Sequence, residues 1–296
     1  MSNKKETSNF LIIGGESKIG YSIVSLLLSL GLNVWTSSRR TNVLHQNEFY
    51  FDLSQDPEQW EFPRIKFDVV FICASITSID FCEKNVEETR EINVNNTIKL
   101  VKFFIESESF VVYFSSNLVF NGESESPSIH DIKQPVTEYG KQKDKVECDL
   151  LKLENNIAIV RLTKVIDQDF KIFKEWTTAL YNNRNIFPFN DMVFSPISIE
   201  YLTNFLKFLV IEKKNGIYHL SGDSDISYSN SAFYIARKLN LNSGLIVPIS
   251  YKESALTYVP KNTKLAVNEI MNFNIDAPNS YDALDFYLKS NDFPSI

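Results

Sequence analysis

The chain has 296 residues, of which 44% are hydrophobic and 23% are charged. This composition excludes the disordered and disulfide-rich classes and suits a large α/β domain, with or without a smaller companion. The formal net charge is −7 and like charges do not form long runs, which excludes the basic surface that nucleic acids and anionic membranes require.

The expected compartment is the cytoplasm. The three cysteines are scattered and form no C-x-x-C pair, which fits a reducing environment. The residues before Phe10 are polar and lack the apolar region of a secretion signal, and the longest apolar run is too short to cross a bilayer. The histidines are far apart in sequence, so no metal site is expected.

Short apolar runs alternate with amphipathic stretches in the first half of the chain. They predict strands at residues 10–13, 33–36, 48–52, 67–74, 110–115 and 157–162, and helices at 19–30, about 95–106 and about 137–154. Strands separated by helices of this length form right-handed βαβ units and a parallel sheet. Because the strands are rich in Val, Ile and Phe rather than alternating, both faces of the sheet should be covered.

The rhythm changes after residue 162. Helices are predicted within 167–181, 196–211 and 229–239 and a strand at 216–221, while 182–195 and the part after 239 are irregular. The expected fold is α/β: a Rossmann-type doubly wound parallel sheet with a smaller, mixed α/β C-terminal substrate-binding region. Residues 1–164 would form the dinucleotide-binding domain, completed by segments from about 195–221, and residues 165–296 would mainly bind substrate.

A glycine-containing loop follows the first predicted strand. Gly14, Ser17 and Gly20 have the spacing G-x-x-G-x-x-G with serine in the middle position, and Lys18 and Ile19 open the helix. Backbone amides at a helix N-terminus bind pyrophosphate, and glycines let the phosphates approach the chain. These five residues are therefore candidate cofactor ligands, although a simple strand-to-helix turn would have the same glycines.

The second predicted strand is followed by Ser38, Arg39 and Arg40. A site that prefers NAD usually has an acidic residue here, which binds the ribose hydroxyls, whereas arginines suit the 2′-phosphate of NADP. The sequence thus favours NADP over NAD, with a solvated basic turn as the alternative. Asp52 and Leu53 end the third strand, and Asp52 would either accept from the adenine amino group or cap a helix.

Tyr139 and Lys143 form a Y-x-x-x-K pair whose members share one face of a helix. The lysine ammonium is expected to lower the pKa of the tyrosine hydroxyl, which would then exchange a proton with a carbonyl or alcohol oxygen. Ser116 ends a predicted parallel strand upstream, at the sheet edge where ligands bind. Ser116, Tyr139 and Lys143 are the predicted catalytic residues, because the serine hydroxyl would bind the same oxygen.

These residues together resemble an extended short-chain dehydrogenase/reductase of the dTDP-4-dehydrorhamnose reductase branch. The resemblance covers nearly the whole chain, and it extends beyond the glycine loop and the three predicted catalytic residues. It includes the small-residue turn Cys73, Ala74 and Ser75, the N-V-x-G-T-like segment that begins at Asn93, and the S-T-D-Y-V-F-D-G-like segment that begins at Ser115. Shorter similar segments begin at Arg161, Ser195 and Pro260.

The resemblance adds Cys73, Ala74, Ser75 and Asn93 to the expected cofactor residues. Expected substrate residues are Asn117, Arg161 and Asp191, with the alternative that Arg161 belongs to a structural ion pair. Departures from the branch matter too. Lys164 stands where the family has tryptophan, which puts the sugar in doubt, and Asn117 replaces an aspartate, which disfavours dehydration.

The function that this resemblance implies is NADPH-dependent reduction of a keto-sugar carried on a nucleotide. The substrate would lie between the sheet edge and the C-terminal region. A nucleotide-sugar epimerase is one alternative, and a non-catalytic nucleotide-binding regulatory subunit with the same fold is another. The oligomeric state stays open, although a homodimer through helices of the first domain would be usual for the family.

Overall fold

The computed structural model describes residues 8–41, 45–153, 156–254, 256, 258–271 and 273–293. The chain divides into two compact units: unit 1 comprises residues 1–119, 137–161 and 203–218, and unit 2 comprises residues 120–136, 162–202 and 219–296. Most of the polar segment before Phe10, and Glu154 at the predicted end of a helix, lie outside the described residues.

Unit 1 is built on a seven-stranded sheet. Its strands are β1 (Asn9–Ile13), β2 (Asn33–Ser38), β3 (Glu48–Tyr50), β4 (Val69–Ile72), β5 (Phe110–Ser116), β6 (Ile157–Leu162) and, later in the chain, β10 (Gly216–Leu220). The strand order is β10-β6-β5-β4-β1-β2-β3, and the neighbouring pairs from β3 to β5 are parallel. The doubly wound Rossmann-type prediction is therefore confirmed.

The strand order places a topological switch point between β1 and β4. From β1 the chain runs outward through β2 and β3, then returns to pair β4 with the other edge of β1. Ligands of open α/β sheets bind in the crevice at the carboxyl ends of the strands at such a point. The strand interiors, including Leu11, Val70 and Val111, are fully buried, as expected for a sheet covered on both faces.

The helices that accompany this sheet are α1 (Lys18–Ser29), α2 (Ile79–Lys84), α3 (Val86–Arg90), the π-helical segment Glu91–Asn96, α4 (Thr97–Glu106) and α5 (Glu138–Leu150). The sequence analysis predicts neither α2 nor α3. The π-helical segment joins α3 directly to α4, so helical structure begins at Val86 rather than at about residue 95.

Unit 2 is the predicted mixed α/β region and has its own core. Phe173, Trp176, Phe194, Tyr228 and Tyr287 belong to one buried cluster there, with the Phe194 and Tyr228 ring centroids 4.5 Å apart. Its strand pairs are parallel β7 (Lys164–Ile166) with β9 (Pro196–Ser198) and antiparallel β8 (Val193–Phe194) with β11 (Ile226–Ser227). Its helices are α6 (Lys171–Tyr181), α8 (Tyr228–Lys238), α9 (Asn268–Met271) and α10 (Ser280–Lys289), and α7 (Ile199–Glu212) begins in this unit.

None of the helices in the described part of the chain combines the length and apolarity that crossing a membrane would require.

Candidate active site

The glycine loop lies between β1 and α1, at the switch point. The Ser17 hydroxyl caps α1: it accepts from Gly20 N at 3.0 Å and donates to Gly14 O at 2.8 Å. A Cβ on Gly20 would lie 2.2 Å from Gly14 O, and Gly14 has φ +85°, so both positions require glycine. The loop therefore presents the N-terminus of α1 at the carboxyl edge of the sheet, an arrangement that binds anions.

A cavity of about 440 Å³ opens beside this loop. That volume lies in the range of small-molecule sites. Nine residues predicted as cofactor ligands border it: Gly14, Ser17, Ser38, Arg39, Asp52, Leu53, Cys73, Ala74 and Ser75. The sequence interpretation missed seven others: Glu16, Ser37, Phe51, Ser54, Ile76, Glu88 and Ile92.

The remaining predicted cofactor residues do not border the cavity. Lys18, Ile19 and Gly20 form the first turn of α1 below it. Arg40 pairs with Glu16, with 2.7 Å between Arg40 Nε and Glu16 Oε1. Asn93 is buried in the π-helical segment behind the cavity wall.

The residues that border the cavity suit the phosphorylated adenosine end of a dinucleotide. A Cβ on Gly14 would come within 2.8 Å of Ala74 N, so the glycine lets the loop pack directly against the residues that follow β4. Arg39 supplies a positive charge at its rim. Asp52 Oδ1 accepts from Ser54 N and Ser54 Oγ, so this carboxylate caps a turn while bordering the cavity.

Tyr139 and Lys143 lie one turn apart on α5, as predicted. The helix begins at the N-cap Thr137, whose Oγ1 accepts from Gly140 N at 3.1 Å. Lys143 Nζ donates to Phe114 O in β5 at 2.9 Å and lies 5.7 Å from the centroid of the Tyr139 ring. Both side chains are buried, at 9% and 5% exposure.

Ser116 lies at the end of β5, between the two points where α5 contacts this part of the chain. Lys143 binds the carbonyl of Phe114, two residues before the serine, and Gly140 packs against the carbonyl of Leu118, two residues after it. The Ser116 hydroxyl accepts from Leu118 N at 3.1 Å. The structure thus brings the three predicted catalytic residues to one place in unit 1.

The electrostatics of these groups differ from the expectation. Burial raises the pKa of the Tyr139 hydroxyl, and Cys82 adds to the rise, so the predicted lowering by Lys143 is wrong for the chain without ligands. Burial also lowers the pKa of Lys143 to about 8, against the opposing effects of Glu147, Cys82 and Cys73. Tyr139 accordingly keeps its proton at neutral pH.

Gly140→Ala tests how closely α5 must approach the segment that follows β5. A Cβ at this position would lie 2.2 Å from the backbone oxygen of Leu118, so the N-terminus of the helix must move. We expect a loss of about 10²-fold in kcat/KM, because shifts of about 1 Å in catalytic groups cost that much. Kinetics of Lys141→Ala, which alters an exposed neighbour on the same helix, provide the control. Unchanged kcat/KM in Gly140→Ala would contradict the close approach.

Buried amides connect the cavity wall to α5. Asn93 Oδ1 accepts from Ser75 Oγ at 3.0 Å and from Ile76 N at 2.8 Å, and its Nδ2 donates to Gln142 Oε1 at 2.8 Å. Gln142 Nε2 in turn donates to Thr89 Oγ1 at 2.8 Å. Asn93 is expected both among the cofactor residues and as a supporting residue of its helix. Its side chain connects the loop after β4 to the helix that carries Tyr139 and Lys143.

Arg161, predicted as a substrate residue, belongs to the alternative ion pair. Its guanidinium lies against the Glu147 carboxylate, with Nε 2.9 Å from Oε1 and NH2 2.7 Å from Oε2, and both side chains are at most 1% exposed. The pair joins β6 to the C-terminal half of α5, and full burial makes the guanidinium inaccessible to a substrate.

The other two predicted substrate residues lie in different units. Asn117 follows Ser116, and its Oδ1 is 3.3 Å from the serine Oγ. Asp191 lies in unit 2, where its carboxylate accepts from Ser250 Oγ and Tyr251 N and so holds a turn. Among the described residues, no group of three or more His, Cys, Asp or Glu side chains is placed to hold a metal ion.

Two segments that carry the family resemblance meet within unit 2. Ser195 N donates to Thr263 Oγ1 at 2.7 Å, and the Asp225 carboxylate accepts from both N and Oγ1 of Thr263. Ser195 Oγ lies 3.1 Å from Ser221 Oγ. Because these contacts are buried, both segments have a structural role in unit 2.

A doubly wound sheet with a glycine loop at its switch point and a Tyr-x-x-x-Lys helix beside it defines an extended short-chain dehydrogenase/reductase. Within this class the chain belongs to the RmlD substrate binding domain family, whose profile matches residues 8–291. A similar curated protein is a dTDP-4-dehydrorhamnose reductase of Aggregatibacter actinomycetemcomitans, 26% identical over 278 residues, which are 89% of this chain and 92% of that protein.

Other similar proteins include a second curated protein and two with solved structures. Methionine adenosyltransferase 2 subunit beta of Rattus norvegicus is 23% identical over 70% of this chain and 65% of its own length. The dTDP-4-dehydrorhamnose reductase of Bacillus anthracis in complex with NADP has a TM-score of 0.84 at 19% identity, covering 96% of this chain and 100% of that one. The reductase of Yersinia enterocolitica has a TM-score of 0.83 at 23% identity, covering 96% and 99%.

Proposed function

We propose that this chain is an NADPH-dependent reductase of a nucleotide-linked keto-sugar, with Tyr139, Lys143 and Ser116 as catalytic residues. The observation that carries the proposal is that α5 contacts the chain both before and after Ser116. Lys143 Nζ donates to Phe114 O, and Gly140 packs against Leu118 O, so the helix with Tyr139 and Lys143 lies against the segment that contains Ser116. A protein without catalytic activity would not require a phenol, an ammonium and a hydroxyl on these two segments.

The chemistry divides among these groups as follows. NADPH, when bound, supplies the hydride that reduces the carbonyl carbon. Tyr139 keeps its proton at neutral pH because burial raises its pKa, and it gives that proton to the carbonyl oxygen. Ser116 donates a hydrogen bond to the same oxygen and orients it. The Lys143 ammonium stabilises the phenolate that remains after proton transfer.

The cavity residues would hold the cofactor at its other end. Gly14 and Ser17 present the α1 N-terminus to the pyrophosphate, and Arg39 offers its guanidinium to the 2′-phosphate. The similarity to a reductase that was solved with NADP supports this choice of cofactor. The similarity to dTDP-4-dehydrorhamnose reductases supports a nucleotide-linked substrate.

A direct test is to follow NADPH absorbance with purified protein and dTDP-4-dehydrorhamnose or related nucleotide keto-sugars. We expect steady oxidation of NADPH that depends on the keto-sugar, and a single alcohol product that contains the transferred hydrogen. Protein that binds neither NADPH nor any such sugar would contradict the proposal. An epimerase would convert the sugar without net consumption of NADPH, so the same assay separates that alternative.

The reaction should depend on pH through Lys143. Because burial lowers the pKa of Lys143 to about 8, the fraction of protonated ammonium falls as pH rises through that value. If the ammonium is required, kcat/KM falls about tenfold per pH unit above pH 8, since this ratio reports the free enzyme. Lys143→Met should retain only residual activity, without this alkaline limb. A wild-type profile that stays flat to pH 9.5 would contradict the role of the ammonium.

The second candidate is a nucleotide-binding subunit without turnover. The similarity to methionine adenosyltransferase 2 subunit beta favours it. Tight NADPH binding without oxidation across the sugar panel would support this candidate over the reductase.

A cytoplasmic location and a homodimer stay predictions. The scattered cysteines of the sequence support a reducing compartment.

A further inference from the structure

We propose that the two arginines after β2 have different functions. Arg39 binds the 2′-phosphate of NADPH, whereas Arg40 neutralises the Glu16 carboxylate that borders the same cavity. The Glu16–Arg40 ion pair then sets the preference between the phosphorylated and the unphosphorylated cofactor. This inference rests on the proposed function, because it takes a nicotinamide dinucleotide as the ligand of the cavity.

The ion pair is the outermost of a series of contacts between the glycine loop and the end of β2. Gly14 N donates to Ser37 Oγ at 2.9 Å, Gly15 N donates to Ser37 O at 3.3 Å, and Arg40 Nε lies 2.7 Å from Glu16 Oε1. One hydrogen bond from the loop backbone to the Ser37 side chain and one to the Ser37 backbone thus hold the loop next to the strand. This arrangement brings the side chains of Glu16 and Arg40 within reach of each other.

The Ser38 side chain holds the turn that contains both arginines. The Ser38 side chain is buried, and its Oγ accepts from Arg40 N at 3.0 Å. Arg39 borders the cavity, while Arg40 is directed to Glu16 and its side chain is 73% exposed. Only one of the two guanidinium groups is therefore placed to meet a phosphate in the cavity.

The ion pair affects cofactor binding because Glu16 is negatively charged. A carboxylate at the rim repels a 2′-phosphate, and like charges a few ångströms apart in a partly enclosed site oppose binding. The same carboxylate, if released, would accept hydrogen bonds from the ribose hydroxyls of an unphosphorylated cofactor. Arg40 prevents both effects by holding Glu16, so the loop tolerates an acidic residue beside a phosphate site.

A double-mutant cycle tests this assignment through equilibrium binding, measured by calorimetry with NADPH and NADH. Arg39→Ala should weaken NADPH binding about 10- to 100-fold, the value of a charge-assisted contact, and leave NADH within about threefold. Arg40→Ala should weaken NADPH about 5- to 20-fold through unmasked Glu16 and leave NADH equal or tighter. In Glu16→Gln/Arg40→Ala, NADPH affinity should return to within about threefold of wild type.

The NADPH affinity of Glu16→Gln/Arg40→Ala distinguishes neutralisation of Glu16 by Arg40 from direct phosphate binding by Arg40. If Arg40→Ala weakens NADPH equally with glutamate or glutamine at position 16, Arg40 is itself a phosphate ligand and the inference is overturned. An Arg40→Ala variant with unchanged affinities also overturns it. Lys66→Ala, which removes an exposed ion pair with Glu108 elsewhere in unit 1, is the matched control and should change neither affinity. Wild-type protein that binds neither nucleotide would instead overturn the proposed function, and this inference with it.

Discussion

Tyr139→Phe is expected to lower kcat by about 10²- to 10⁴-fold, the usual contribution of a positioned general acid. The substitution removes one hydroxyl and leaves the ring in its buried position beside Lys143. The affinity for NADPH, measured by calorimetry, should stay within about threefold of wild type, because the cavity residues are untouched. A large loss in kcat with retained binding separates proton donation from cofactor binding.

Tyr113→Phe is the matched control for this variant. The Tyr113 ring also lies against Lys143, at 4.7 Å from Nζ to the centroid, and its buried hydroxyl has no hydrogen-bond partner among the residues that the structure describes. Removing that hydroxyl should leave kcat within about twofold, because no contact is lost. Equal activity of the wild type and Tyr139→Phe would refute the role of the phenol. Equal losses in the two tyrosine variants would indicate a packing effect instead.

Glu147→Ala is expected to lower the free energy of unfolding by about 3–5 kcal/mol, the cost of leaving a buried charge without its partner. Arg161 would keep its guanidinium in the interior, at 1% exposure, without the carboxylate that accepts its hydrogen bonds. Chemical denaturation followed by fluorescence measures the loss. The Glu147→Ala variant should also be less active than the wild type, because the ion pair fixes the C-terminal half of α5.

Two further variants test whether the loss of stability is specific to a buried ion pair. Glu147→Leu/Arg161→Met replaces both charges with apolar groups and should recover most of the stability that Glu147→Ala loses. Lys145→Ala breaks an exposed pair with Asp149 on the same helix and should cost less than about 1 kcal/mol. A double variant no more stable than Glu147→Ala would show that the apolar pair cannot replace the ionic one.

The sheet of unit 1 could be predicted because its signals are local. The central strands β1, β4 and β5 are mainly apolar runs, and the loop from Gly14 to Gly20 has its glycines where the backbone needs them. The pairing of Tyr139 with Lys143 is equally local, since one helical turn separates them. These features need no knowledge of which elements pack together.

The site features that the sequence interpretation missed depend on tertiary packing. Glu147 and Arg161 meet only because α5 packs beside β6. The hydrogen bond between Asn93 and Gln142 joins residues 49 positions apart in sequence, so the motif around Asn93 does not reveal it. The raised pKa of Tyr139 likewise comes from burial, which the Y-x-x-x-K spacing does not report.

Some missed elements did carry a local signal. Helix α10 begins after Asn279, whose side chain accepts from Tyr281 N, and it buries Ala283, Leu284 and Tyr287 along one side. That is an N-cap followed by helical periodicity. Helices α2 and α3 are only 6 and 5 residues long, too short for periodicity to distinguish them from a loop.

The π-helical segment constrains how the sequence of this protein can change in length. Its wider turn sets the angle at which Asn93 reaches both Ser75 and Gln142. One residue deleted between Glu91 and Asn96 would restore a regular helix but rotate the preceding side chains by about 100°. Insertions and deletions should therefore be tolerated in the surface turns of unit 1 long before they are tolerated in this segment.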